Sequence, residues 1–220
     1  DQIEAFFKRC ITNIQNDRKN EFIGMHVTKK SEKKVQKMLA DAGIPEFNNQ
    51  DIPPSLFISA DEWENTPYHK NIHLDWIKDA NFTFEKSKIA GYELFNSDVI
   101  QKDPNRELND WMKLRAMDRN FEALYLYQGD MDWMFDAPSE AATNNVPASH
   151  AHGHVLTYGL GIGYFLDMAL ANPNVTEVTV VEKSKEVIAM FKNFISPQCI
   201  TDKPVHFIES DAFDYCNEDN

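Results

Sequence analysis

Val155-Leu156-Thr157-Tyr158-Gly159-Leu160-Gly161-Ile162-Gly163 runs from a short apolar tetrapeptide straight into three glycines at alternate positions. The tetrapeptide predicts a strand, and residues 164–171 predict a helix. Glycines between a strand and a helix let the chain turn sharply and let a ligand touch main-chain N–H groups. Downstream, Val178-Thr179-Val180-Val181 predicts a second strand, residues 184–195 a second helix, and Val205-His206-Phe207-Ile208 a third strand. Strand, helix, strand, helix, strand at this spacing predicts parallel pairing through right-handed crossovers, and so an α/β fold.

Two acids sharpen the reading. Glu182 ends the second strand, 23 residues beyond Gly159. In a doubly wound sheet that position lies beside the glycine turn, at the carboxyl edge where ligands bind. A carboxylate there can accept both hydroxyl hydrogens of a ribose. Glu209-Ser210-Asp211-Ala212-Phe213 places Asp211 at the same edge, one strand further out. Its carboxylate suits an adenine amino group, with a neighbouring N–H for a ring nitrogen. Taken singly, the glycines also fit a ligand-free tight turn, the lesser of the two readings, and each acid a solvated loop charge; their convergence on one edge carries the argument. A dinucleotide fingerprint needs a third glycine where the helix packs on the strand. That position is Tyr164 counted from Gly159 and Leu166 counted from Gly161, both bulky. The loop therefore suits a ligand without phosphates.

Through these three runs, residues 154–215 resemble class I S-adenosylmethionine (SAM)-dependent methyltransferases, especially their spermidine-synthase-like branch. The resemblance implies a partial Rossmann-like parallel sheet, preceded by an N-terminal α+β region. It sets Gly159, Gly161 and Gly163, with Leu160 between them, against the methionine and ribose of SAM. It sets Glu182 on the ribose hydroxyls, Lys183 beside the adenine, and Asp211 with Ala212 at the adenine edge. The run Trp133-Met134-Phe135-Asp136-Ala137-Pro138-Ser139-Glu140 is similar to a segment in uncharacterised bacterial and phage proteins of this type. The activity implied is methyl transfer to a small-molecule or other acceptor, with no catalytic residue assigned. Aminopropyl transfer from decarboxylated SAM is the second reading, and the acidic charge suits a polyamine. A non-catalytic SAM-fold module is the third. The family carries seven strands and its acceptor groups at and after the fourth, whereas this chain stops at Asn220. Either the chain is a fragment of a longer protein, which is the favoured expectation, or the roughly 150 upstream residues complete the sheet in an unusual way. Three strands with an open edge make a poor sheet alone; a partner chain, as in a homodimer, or the upstream hairpin would cover it.

The organisation expected is an α+β region over residues 1–148 and the SAM-binding domain over 149–220. Ile3, Phe6, Phe7, Cys10, Ile11 and Ile14 predict a first helix. A second spans 31–42, with Ser31 as N-cap, Val35, Met38, Leu39 and Ala42 as its apolar stripe, and Gly43 as terminator. A short helix is expected near 69–79. Phe82 and Phe84 predict a strand, with residues 91–95 as its partner. Leu108, Trp111, Met112 and Arg115 predict a helix over 107–119. Residues 121–127 and 131–135 predict a hairpin around Gln128-Gly129-Asp130, and 136–149, rich in Ala, Asn, Pro and Ser, a connector.

At 220 residues, 42% hydrophobic and 12% aromatic, the chain can build a core. Its 22 basic and 35 acidic residues give a net charge of -13. Such a surface repels phosphate backbones, so nucleic acid is a poor partner. No apolar run approaches the ~20 residues that span a bilayer, and no leader-like start is present, so a cytoplasmic protein away from the membrane is expected. Cys10, Cys199 and Cys216 are scattered and read as reduced thiols. His150, His152 and His154 alternate and would share one face of an extended chain, yet solvated histidines at a strand entrance are the favoured reading. His69 and His73, four apart, lack the Glu of an H-E-x-x-H pair. No metal is assigned. Glu140 reaches a ligand's amino group only if the hairpin folds over the site, and the four tryptophans read as packing residues.

Overall fold

A computed structural model describes residues 21–44, 54–97 and 114–217. In chain order its elements are α1 (Glu32–Asp41), β1 (Phe57–Ile58), α2 (Ala60–Glu64), α3 (Pro67–Asn71), a 3-10 turn (Leu74–Trp76), β2 (Phe82–Ile89), β3 (Leu94–Asn96), β4 (Leu114–Met117), β5 (Phe121–Gln128), β6 (Met131–Asp136), α4 (Pro138–His150), β7 (Gly153–Tyr158), α5 (Tyr164–Ala171), β8 (Val175–Glu182), α6 (Lys185–Met190), β9 (Val205–Glu209) and α7 (Ala212–Asn217). The fold is mixed α/β. Among the described residues no helix is long and apolar enough to cross a membrane.

The chain divides into two compact units, each assembled from two stretches: residues 1–60 with 89–121, and 61–88 with 122–220. The first holds the sheet β1-β4-β3. Its core gathers Val27, Val35, Leu39, Ile44, Leu56, Leu94 and Leu114. Gly43, at φ 78, ends α1 as expected. Ser31 stands at the N-cap without a capping bond, its Oγ accepting instead from the Thr28 N–H at 2.9 Å. Val35 and Leu39 are buried, but Met38 faces out and Gln36 takes the third buried place.

Two expectations change here. Residues 114–117, expected as the end of a helix, are the central strand of this sheet, parallel to β1 and antiparallel to β3. Leu114, Ala116 and Met117 are fully buried, so burial between two strands outweighs helical spacing. Residues 107–113, like the first expected helix, lie outside the described residues. The stretch 91–95 does not return beside Phe82. Gly91 lies so near the backbone that an added Cβ would sit 2.3 Å from the Arg119 carbonyl carbon. The chain turns through Tyr92, at φ 64, and β3 pairs with β4. A short alternating run does not by itself specify its partner.

The second unit holds the sheet β2-β5-β6 and the sheet β7-β8-β9. The hairpin β5–β6 is antiparallel as expected, with an irregularity at Leu126/Tyr127. The helix expected near 69–79 is instead α3 followed by the 3-10 turn. The expected connector is α4. Pro138 occupies its first turn, where a missing N–H costs nothing. Thr143 Oγ1 and Asn144 Nδ2 donate to the Glu140 carbonyl at 2.6 and 2.7 Å, so polar residues that read as loop serve the helix. Ala141 and Ala148 are buried where α4 packs along α5.

β7, β8 and β9 are all parallel, with Tyr158 opposite Val181 and Glu182 opposite Glu209. Val178 and Val180 have no exposure. The helix expected over 184–195 is α6 continued by a π turn over Phe191–Ile195. Ser184 caps it, its side chain accepting from the Val187 N–H.

Candidate functional site

The carboxyl ends of the three parallel strands meet the glycine turn at one edge. The Gly159 N–H continues the ladder by donating to the Val181 carbonyl at 2.8 Å, and the Ser210 N–H donates to the Glu182 carbonyl at 3.2 Å. Gly159, Gly161 and Gly163 have φ of 81, 54 and 77, the left-handed region that side chains resist. Each glycine has different surroundings. A Cβ on Gly159 would meet nothing within 4 Å, one on Gly161 would lie 2.2 Å from Met134 Sδ, and one on Gly163 would lie 2.2 Å from Phe191 Cε2.

Glu182 is the hub. It is 6% exposed, and one carboxylate oxygen accepts from the Leu160 N–H at 2.9 Å while the other accepts from the Ser184 N–H at 2.8 Å. The side chain therefore ties the tip of β8 to the glycine turn across the sheet edge. A carboxylate offers about four acceptor positions, and these two bonds use two of them. Lys183 is exposed, and Asp211 and Ala212 are half-buried at the start of α7. Asp211 Oδ1 accepts from the Phe213 N–H at 2.9 Å, a capping role for the short helix. The structure thus joins Leu160 to Glu182 directly and Gly159 to the adjacent Val181, with Asp211 and Ala212 following the next strand tip.

Behind the turn lies a polar and aromatic cluster that sequence reasoning missed. The Tyr68 hydroxyl donates to the Ile162 carbonyl at 2.7 Å. His69 Nε2 stands 3.1 and 3.0 Å from the two Asp136 oxygens, and His69 Nδ1 stands 2.6 Å from Thr66 Oγ1. The Trp63 ring lies 4.3 Å from the His69 ring. Tyr164 donates to Asn145 Oδ1 at 2.9 Å. Burial, with the Asp136 and Asp167 charges added, raises the Tyr68 pKa well above the ordinary phenol value, and burial pushes Tyr164 up to about 12. Both remain neutral donors. The only sequence signals were the bulky Tyr164 at a glycine position and the His69/His73 spacing, and neither points to partners 67 residues away.

Asp167 is also buried, and its desolvation raises the carboxyl pKa. Its neighbour Cys199 is pushed up to about 12, first by burial, so the thiol stays protonated and can donate. A folded-state pKa above the unfolded one means that the native state holds the proton more tightly. Stability is then greatest below the ordinary carboxyl pKa of about 3.9 and declines as pH rises through the raised value. Asp167→Asn, which removes the charge and keeps the shape, should raise the urea midpoint at pH 8 and gain much less at pH 4. An Asn variant no more stable than the parent at pH 8 would contradict this account.

The remaining candidates disperse. His150 lies in the last turn of α4, so the extended row of three imidazoles does not form. His150 Nδ1 stands 2.9 Å from the Val146 carbonyl, His152 Nδ1 stands 3.1 Å from the His150 carbonyl, and His154 Nε2 stands 2.7 Å from Thr179 Oγ1. His73 stacks on Trp76 at 4.0 Å; that tryptophan is exposed rather than a core residue. Glu140 is exposed. Among the described residues no three His, Cys, Asp or Glu side chains gather as a metal site, and Cys199 and Cys216 are free thiols.

A scan against protein-family models finds no match, and a search of curated proteins finds none either.

Proposed function

We propose that β7, β8, β9 and the turn at 159–163 are the adenosyl-binding half of a Rossmann-like SAM domain, and that the protein is a SAM-dependent methyltransferase. The observation that carries this reading is the Glu182 carboxylate, buried at the tip of the middle strand and bonded to the Leu160 N–H of the glycine turn. Its two remaining acceptor positions suit the two ribose hydroxyls. Gly159, with open space on its Cα, lets the methionine portion pass close to the backbone. Lys183 flanks the adenine, and Asp211 with Ala212 meets the adenine edge.

When bound, SAM supplies a methyl group already activated by its sulfonium. The chain's own residues then orient: Glu182 fixes the ribose, the glycine turn fixes the amino-acid portion, and an acceptor held in line at near-attack distance reacts without further search. The net charge of -13 favours a neutral or cationic acceptor.

Isothermal titration tests the proposal. SAM and S-adenosylhomocysteine should bind with a Kd of about 1–100 µM, or about 5–8 kcal/mol. Preference for decarboxylated SAM would replace methyl transfer by aminopropyl transfer. Absence of heat with all three at millimolar concentration would leave only the non-catalytic module.

A further inference from the structure

The glycine turn is braced by residues that belong to neither its strand nor its helix. α3, five residues long, sends two adjacent side chains to different elements. Tyr68 donates to the carbonyl of Ile162, within the turn. His69 joins the carboxylate of Asp136, the last residue of β6. Two residues earlier on the same strand, Met134 lies against Gly161. The turn is thus held at Ile162 by a hydrogen bond and at Gly161 by a thioether, and α3 and β6 are fastened to each other through His69 and Asp136.

The hydrogen-bond direction at His69 Nε2 follows from its partner. Asp136 as a carboxylate can only accept, so Nε2 carries a proton. On the other side of the ring, Nδ1 shares a hydrogen bond with Thr66 Oγ1, which also accepts from the His69 backbone N–H at 3.2 Å. Every polar atom of the imidazole is used. The ring is packed by Trp63 at 4.3 Å and by the Tyr68 ring at 5.2 Å, and the His69 and Asp136 side chains are 13% and 9% exposed. Such a fully satisfied buried link specifies one arrangement of the parts it joins.

We infer that Tyr68 and His69 are positioning residues for the ligand-binding turn: from outside the parallel sheet they hold Gly161 and Ile162 in the conformation that receives the adenosyl ligand. The inference rests on the proposed function for the ligand's identity, but the bracing itself is measurable without any ligand. Tyr68→Phe keeps the buried ring and removes only the donor to Ile162. In hydrogen exchange on the ligand-free protein, the amides of 159–163 should exchange about tenfold faster, equivalent to about 1.4 kcal/mol of local opening. The amides of β8 should keep their parental rates. SAM should bind Tyr68→Phe about tenfold more weakly. His69→Ala should loosen the same turn, and His69→Gln, which keeps a donor for Asp136, should restore most of the protection. His69→Gln also serves as the test if Tyr68→Phe does not fold.

Unchanged turn exchange in Tyr68→Phe, or exchange accelerated equally throughout the second unit, overturns the inference. So does His69→Gln behaving like His69→Ala. Selective loosening of the turn in a protein whose parent form binds no SAM leaves the bracing standing and removes the SAM reading instead.

Discussion

Glu182→Ala should weaken SAM binding at least about 100-fold, which is about 2.8 kcal/mol at 1.4 per decade. Two losses combine. The variant has no acceptor for the ribose hydroxyls, and the Leu160 and Ser184 N–H groups lose their charged partner. Each hydrogen bond to a charged group contributes about 1.5–3 kcal/mol when buried. With the Ser184 bond partly solvated, the fold should lose about 2–4 kcal/mol in urea unfolding. Glu182→Gln separates the two roles, because its amide oxygen can still take one N–H while the side chain can no longer accept at both ends. It should retain most of the stability and little of the affinity. A folded Glu182→Ala protein that binds SAM within threefold of the parent would sink the assignment of Glu182 as the ribose ligand.

Gly163→Ala should cost the fold about 2–5 kcal/mol by denaturant unfolding. A left-handed backbone conformation costs a non-glycine residue roughly 1–2 kcal/mol, and φ at Gly163 is 77. The second part is steric. The new Cβ would lie 2.2 Å from Phe191 Cε2 and 2.9 Å from Cδ2, and crowding of this kind costs about 1–3 kcal/mol. Phe191 has little room to retreat, being 2% exposed, set in the π turn and packed against Phe207 at 5.7 Å. Gly159→Ala is the control. Its φ of 81 imposes the same backbone strain, but its Cβ meets nothing within 4 Å, so it should lose only the first part. Equal losses in the two variants would show that Phe191 moves freely and that the clash carries no weight.

Much of the second unit was legible in advance because its signals are local. β-branched runs bounded by glycine or by acids predicted β7, β8 and β9, and the helix-length spacers between them predicted parallel pairing, which the register shows. The hairpin β5–β6 was legible from its Gly129 turn. Residues 114–117 and 138–150 were not. In the first, helical spacing yielded to burial between two strands; in the second, proline and small polar residues read as a connector form α4, against α5. Both outcomes depend on neighbours that no local window contains.

The candidate site divides along the same line. From the order of residues came the sharp turn, the absence of a third glycine where Tyr164 stands, and an acid at the tip of the second strand. These follow from φ preferences and from period-two spacing, which are properties of adjacent residues. The folded chain alone decided that the Glu182 carboxylate would close onto the Leu160 N–H, that Phe191 would stand where Gly163 needs no side chain, and that Tyr68 and Met134 would meet the turn from far away in sequence. Such contacts are set by how the second unit packs, and packing brings together residues whose separation along the chain carries no trace of the meeting.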